Sequence, residues 1–160
     1  MRALTIWQPQ AWAIAEGHKP VENRTWPLPS RYIGETFAIH AGKTYDVPWS
    51  EMVRGALDLD VPSKNEVPLG AVIAVATFAQ LLEGESFGIP PGNRMFIVNV
   101  PVSQGLPENF DVWFSGPYGF LLSDVRKLRE PVFCKGAQGL WTLPVDIEKA
   151  VMRQLKGVST

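Results

Sequence analysis

The sequence predicts one α+β domain, mainly β, of about six or seven strands with about three helices. Three observations lead there. Glycine and proline, 14 of each in 160 residues, recur along the whole chain and cut it into short segments. Between them lie apolar or alternating runs of strand length. These runs outnumber the helical patterns and do not alternate with them, which argues against a doubly wound parallel sheet. The length suits a single domain, residues 1–160.

Ala3 to Trp7 reads as the first strand. Pro9 suits the first turn of a short helix and Gly17 its stop. Its centre, Ala11-Trp12-Ala13-Ile14-Ala15, is apolar all round, so this helix should be buried. Val21 to Trp26 is extended between Pro20 and Pro27. Thr36 to Ala41 alternates, with Phe37, Ile39 and Ala41 on one face and Thr36, Ala38 and His40 on the other. Ser50 to Leu59 reads as a helix capped by Ser50, with Met52, Val53, Ala56 and Leu57 as its apolar stripe. Residues 70–79 suit a central strand covered on both faces. Glu83 to Arg94 reads as a loop, and Met95 to Val100 as a weaker strand. Tyr118 to Leu122 and Leu140 to Leu143 are the last strands. A final helix over about residues 146–156, capped by Asp146, places Ile147, Val151 and Leu155 at helical spacing.

Composition narrows function. Hydrophobic residues are 46% and charged residues 19%, enough apolar material for a proper core. The net charge is −1, whereas proteins that track long duplexes carry a basic field. Any nucleic-acid contact should therefore be a local pocket or patch. A single cysteine, Cys134, precludes an intrachain disulfide and, with two histidines far apart in sequence, gives no zinc pattern. The N-terminal residues lack a signal-peptide pattern. The longest apolar run, Ala71 to Ala79, is too short to span a membrane. The expectation is a cytoplasmic protein with no membrane association, no cofactor and no metal.

The segment Gly17-His18-Lys19-Pro20-Val21-Glu22-Asn23-Arg24-Thr25-Trp26 concentrates the chemistry. Side chains two apart on a strand share a face, so Glu22, Arg24 and Trp26 point the same way. That face combines an acceptor, a five-donor planar cation and an aromatic plate, with Lys19 at the preceding turn. Such a set suits a flat, hydrogen-bonding ligand or a phosphate. The same residues are also compatible with an exposed strand carrying one ion pair, worth roughly 0–1 kcal/mol. His40 on its strand face, Ser115 and Tyr118 around the turn Gly116-Pro117, and Lys135 before Gly136 are further candidates for ligand contact. A structural histidine and plain turns are the competing, simpler accounts of them.

Leu4-Thr5-Ile6-Trp7-Gln8-Pro9-x-Ala11, Gly17-x-Lys19-x-x-Glu22-x-Arg24 and Ala38-Ile39-His40-Ala41 together resemble the ASCH domain. Gly116-Pro117-Tyr118-Gly119-Phe120 and Lys135-Gly136-x-x-Gly139-Leu140-Trp141 resemble a subgroup common in bacteria and phages. The resemblance runs from about residue 3 to about residue 143. The C-terminal helix and residues 83–94 lie outside it. It implies a PUA-like β-barrel with a cleft between barrel and first helix, lined by the Gly-x-Lys-x-x-Glu-x-Arg residues and extended by Gln8. It further implies binding of single-stranded RNA or DNA, RNA foremost, or of a modified nucleobase. The alternative is a hydrolase, either an N4-acylcytidine-type amidohydrolase or a ribonuclease, with Lys19 and Glu22 catalytic. In either reading Gln8, Arg24, Trp26, His40, Ser115, Tyr118 and Lys135 would bind ligand. One bacterial branch that cleaves the acyl-amide of N4-acetylcytidine pairs the motif lysine with a threonine three residues later. Glu22 stands at that position here, so the hydroxyl of that branch is missing.

Overall fold

The computed structural model describes residues 1–86, 96–98 and 107–157. Its elements are β1 (Arg2–Gln8), α1 (Gln10–Ala15), β2 (Val21–Arg24), β3 (Thr36–Tyr45), α2 (Val47–Leu57), β4 (Ala71–Ser86), β5 (Phe96–Val98), α3 (Phe110–Trp113), β6 (Tyr118–Phe133), β7 (Leu140–Thr142) and α4 (Val145–Lys156). Six strands form one curled sheet in the order β2-β6-β4-β3-β1-β7, and β5 pairs with β4. β1 runs parallel to β3, and the other pairs are antiparallel. The mainly-β α+β prediction matches this architecture.

Strand alternation gives the sheet two differently covered faces. Leu4, Ile6, Phe37, Ile39, Ala41, Phe78 and Phe120 pack on one face against Ala11, Ile14 and Ala15 of α1. Phe37 and Phe78 stack there with ring centroids 3.8 Å apart. Ala3, Ala38, Val72, Val75 and Leu128 cluster on the other face with Val151 of α4 and Leu143. The apolar first helix is thus the plug of the curled sheet, which is why its sequence has no polar side. Gln8 Oε1 accepts from Trp12 N at 2.9 Å, satisfying a donor of the helix's first turn. Gly17, at φ +81°, ends the helical path in a conformation few side chains adopt.

Several predicted elements differ in extent. β4 runs on to Ser86, so the predicted loop over 83–94 begins with strand, and its remainder lies outside the described residues. β6 continues far past Leu122, to Phe133. Its second half, rich in Arg, Lys and Glu, gives no apolar run to read. Those side chains face solvent while the backbone pairs with β4. α2 starts earlier than predicted, because Asp46, not Ser50, accepts from Trp49 N. Ser50 lies inside the helix and donates to Val47 O at 2.8 Å. Of the predicted stripe only Val53 is buried, and Met52 is 46% exposed, because this helix packs through Trp49 and Trp113 instead. α4 opens at Pro144, with Asp146 in its first turn. The one-turn α3 has no sequence pattern long enough to predict it.

Gly119 of β6 shows how tightly β2 and α3 are held. A Cβ there would lie 2.4 Å and 2.5 Å from the Phe114 ring and 2.8 Å from Val21. Gly119→Ala should therefore destabilise the protein by about 1–3 kcal/mol, read as a lowered urea midpoint. An unchanged midpoint would show that this corner repacks freely.

Candidate functional site

The Gly-x-Lys-x-x-Glu-x-Arg residues form one connected charge cluster. Pro20 hands the chain from the α1 turn into β2, where Glu22 pairs with Phe120 and Arg24 with Tyr118 of β6. Glu22 and Arg24 share the inner face, as alternation predicts. Lys19 is 2% exposed and Glu22 4%. Lys19 Nζ donates to Val21 O and, at 3.1 Å, to Glu22 Oε2. Arg24 Nε lies 3.2 Å from Glu22 Oε1 without hydrogen-bond alignment, so that contact is electrostatic. Arg24 Nη2 donates to Thr5 O at 2.8 Å. The last β1–β7 pair is Leu4 with Leu140, so Thr5 begins the stretch of β1 beyond β7. The guanidinium thereby ties β2, at one flank of the sheet, to β1 near the other.

Burial pushes the Lys19 ammonium below its ordinary pKa, and the Glu22 carboxylate pulls it back up. The cluster holds two cations and one anion. Glu22 is its hub, because removing it strands two positive groups.

The other predicted site residues divide sharply. Gln8 is buried and fully used: Nε2 donates to Pro68 O at 2.9 Å while Oε1 caps α1. Trp26 meets Phe120 edge-on at 5.2 Å and packs against the inner core. Ser115 N donates to Asn23 Oδ1 at 3.0 Å, and Tyr118 packs on the inner core. His40 and Lys135 go elsewhere. Both line a cavity of about 860 Å³ on the outer face, with Thr5, Lys43, Phe133 and Gln138 among its walls. Lys19, Glu22 and Arg24 do not line this cavity. The charge cluster backs it, joined through the Thr5 backbone.

Within the cavity wall, His40 Nε2 lies 2.9 Å from Cys134 O, and Nδ1 lies 3.3 Å from Thr5 Oγ1. A carbonyl only accepts, so Nε2 carries the proton and Nδ1 is the acceptor. Thr5 then donates its hydroxyl proton to Nδ1 and accepts from Trp141 Nε1 at 3.1 Å. Burial lowers the His40 pKa against the opposing effect of the Cys134 carbonyl, favouring neutral imidazole. Gly136 makes this arrangement possible: a Cβ there would sit 2.6 Å from His40 Cε1 and 2.8 Å from Thr5 Oγ1. Thr5, Lys43 and Phe133 were not singled out from sequence. For Thr5 the alternation of β1 was the available signal, placing it opposite buried Leu4 and Ile6. Phe133, 67% exposed, ends a charged strand that carries no apolar pattern. Among the described residues, no group of three or more His, Cys, Asp or Glu is placed to hold a metal ion. No described helix is long and apolar enough to cross a membrane.

Two outcomes follow from these geometries. Glu22→Ala should cost about 3–5 kcal/mol, the range for an uncompensated buried charge. Lys19→Met, which leaves Glu22 beside Arg24, should cost less. Denaturant titration of both variants checks the order, and the reverse order would show that Glu22 is not the hub. For His40, the unfolded chain takes up a proton as pH falls below about 6.5 while the folded chain resists. Stability should therefore decline with acidification from that point until His40 itself protonates. His40→Gln should flatten that part of the stability–pH curve, measured by denaturation at stepped pH.

No family model matches the chain, and no curated protein matches it. Among solved structures it is similar to ASCH from Zymomonas mobilis, with a TM-score of 0.51 and 20% identity over 95% of this chain and 93% of that one. A substitution variant of the same Zymomonas mobilis protein matches with a TM-score of 0.50 and 20% identity over 95% of this chain and 94% of that one. The curled sheet, its plugging helix and this end-to-end match show that the chain has the α+β fold of those ASCH structures.

Proposed function

We propose that the protein binds single-stranded nucleic acid, RNA foremost, by taking one unpaired base into the outer cavity between β1, β3 and residues 133–138. The observation that carries this reading is the composition of the cavity wall. An exposed aromatic ring, Phe133, stands beside the side-chain amide of Gln138 and two lysines, Lys43 and Lys135, on a wall that His40 also lines. An aromatic face stacks any base, polar edges orient it, and cations meet the flanking phosphates. Trp7, 55% exposed on β1 two residues from Thr5, offers a second stacking surface for a neighbouring nucleotide. The volume of about 860 Å³ suits a nucleotide-sized ligand. The near-zero net charge agrees with a local site in place of a long basic track.

In this reading Lys19, Glu22 and Arg24 act as a buttress. Their charges are spent on one another and on backbone carbonyls, and Arg24 holds the strand edge that presents Thr5. A modified nucleobase would enter by the same route, with Gln138 reading its edge.

Fluorescence anisotropy with short labelled RNA and DNA strands tests this. Phe133→Ala should weaken binding by about 1–3 kcal/mol, the usual worth of one stacked base. Lys135→Ala should weaken it less and reduce the slope of log affinity against log salt by about 0.7 if one phosphate contact is lost. Wild-type protein that binds no oligonucleotide at low salt, or binds equally well without Phe133 and Lys135, would refute the site.

A further inference from the structure

We propose that Thr5 and His40 form a hydroxyl–imidazole catalytic pair that transfers an acyl group from a carboxylic ester or activated amide to water. The inference rests on the same outer cavity, but on a different observation: the directional chain from Trp141 and Thr5 through His40 to Cys134.

Each link has the polarity a nucleophile needs. Thr5 Oγ1 donates toward His40 Nδ1 at 3.3 Å, and His40 Nε2 donates to the Cys134 carbonyl at 2.9 Å. The carbonyl fixes the tautomer and the ring plane, as a third group does in nucleophile–base pairs generally. The 3.3 Å separation is of the loose kind such pairs show without substrate. Trp141 Nε1, donating to Thr5 Oγ1 at 3.1 Å, stabilises negative charge that develops on that oxygen. Trp141 also meets the imidazole edge-on at 5.5 Å. Gly136 leaves no room for a side chain between the pair and its own backbone. Thr5, half-buried, lines the cavity with His40 buried beside it, so the hydroxyl is the member of the pair that a ligand meets.

The steps balance without a further reagent. His40 Nδ1 takes the Thr5 proton as Oγ1 bonds to the acyl carbon. The bond from that carbon to the leaving oxygen or nitrogen breaks with its electron pair, and Nδ1 returns the proton to the leaving group. Water then attacks acyl-Thr5, giving its proton to Nδ1, and the carboxylic acid departs as Thr5 regains its hydrogen. Lys43 and Lys135, on the wall of the same cavity, favour acyl donors that carry an anionic group.

The test uses para-nitrophenyl acetate and the para-nitrophenyl half-ester of succinate as probes. Wild-type protein should release nitrophenolate faster than buffer, favour the half-ester, and carry the acyl group on Thr5 when rapidly quenched and mapped by mass spectrometry. Thr5→Val and His40→Gln should each lose about 100-fold or more of the rate, while Thr5→Ser keeps it. The quenched wild-type sample requires no variant to fold. An acyl group found only on lysines, or a hydrolysis rate no greater than buffer, overturns the proposal. Oligonucleotide binding measured on the same samples separates the readings. Binding without hydrolysis defeats the catalytic pair alone, and hydrolysis without binding defeats the nucleic-acid reading alone.

Discussion

The structure depends on how one buried carboxylate is held. Glu22 lies between Lys19 and Arg24 inside the curled sheet, where an uncompensated charge would be costly. Meeting that requirement fixes three things together. Lys19 must fold back from the end of α1, so the plugging helix is registered on β2. Arg24 must extend along the inner face, so β2 is registered on β1. The carbonyl of Thr5, at the stretch of β1 beyond β7, finds its donor in Arg24. A backbone acceptor and a side-chain cation thus join two strands, β2 and β1, that are not neighbours in the sheet order.

Closure on the inner face has a consequence on the outer one. Thr5 is the residue where the two meet, its carbonyl held by Arg24 and its hydroxyl turned toward His40. The cavity wall is therefore stiffened from behind by charges that never enter it. This division of labour explains how a motif rich in lysine, glutamate and arginine can be almost wholly buried. Its charges hold β1 through the Thr5 carbonyl, while the Thr5 and His40 side chains line the cavity on the other face.

Several parts of this were legible in the chain. The strand faces of β3, the buried first helix with its proline entry and glycine exit, and the shared face of Glu22 and Arg24 follow from local periodicity. The resemblance in the N-terminal blocks pointed to the fold that the structural comparison shows. The second half of β6 was not legible, because its side chains face water and its strand character comes from pairing with β4. That Phe120 lies beside Trp26 and Pro68 beside Gln8 was not legible either, because nothing local reveals such distant neighbours.

By itself the sequence determined that the chain is mainly β with a buried helix, a net charge of −1 and one compact run of charged side chains. These are consequences of composition and short-range spacing, which act through neighbours in the chain. Only the tertiary structure decided which way that chemistry faces. Thr5, His40 and Cys134 are separated by 35 and 94 residues, and their alignment arises because parallel β1–β3 pairing puts Thr5 opposite His40. The bare backbone of Gly136 then closes over both. Such long-range register is set by packing of the whole sheet, and no local pattern encodes it.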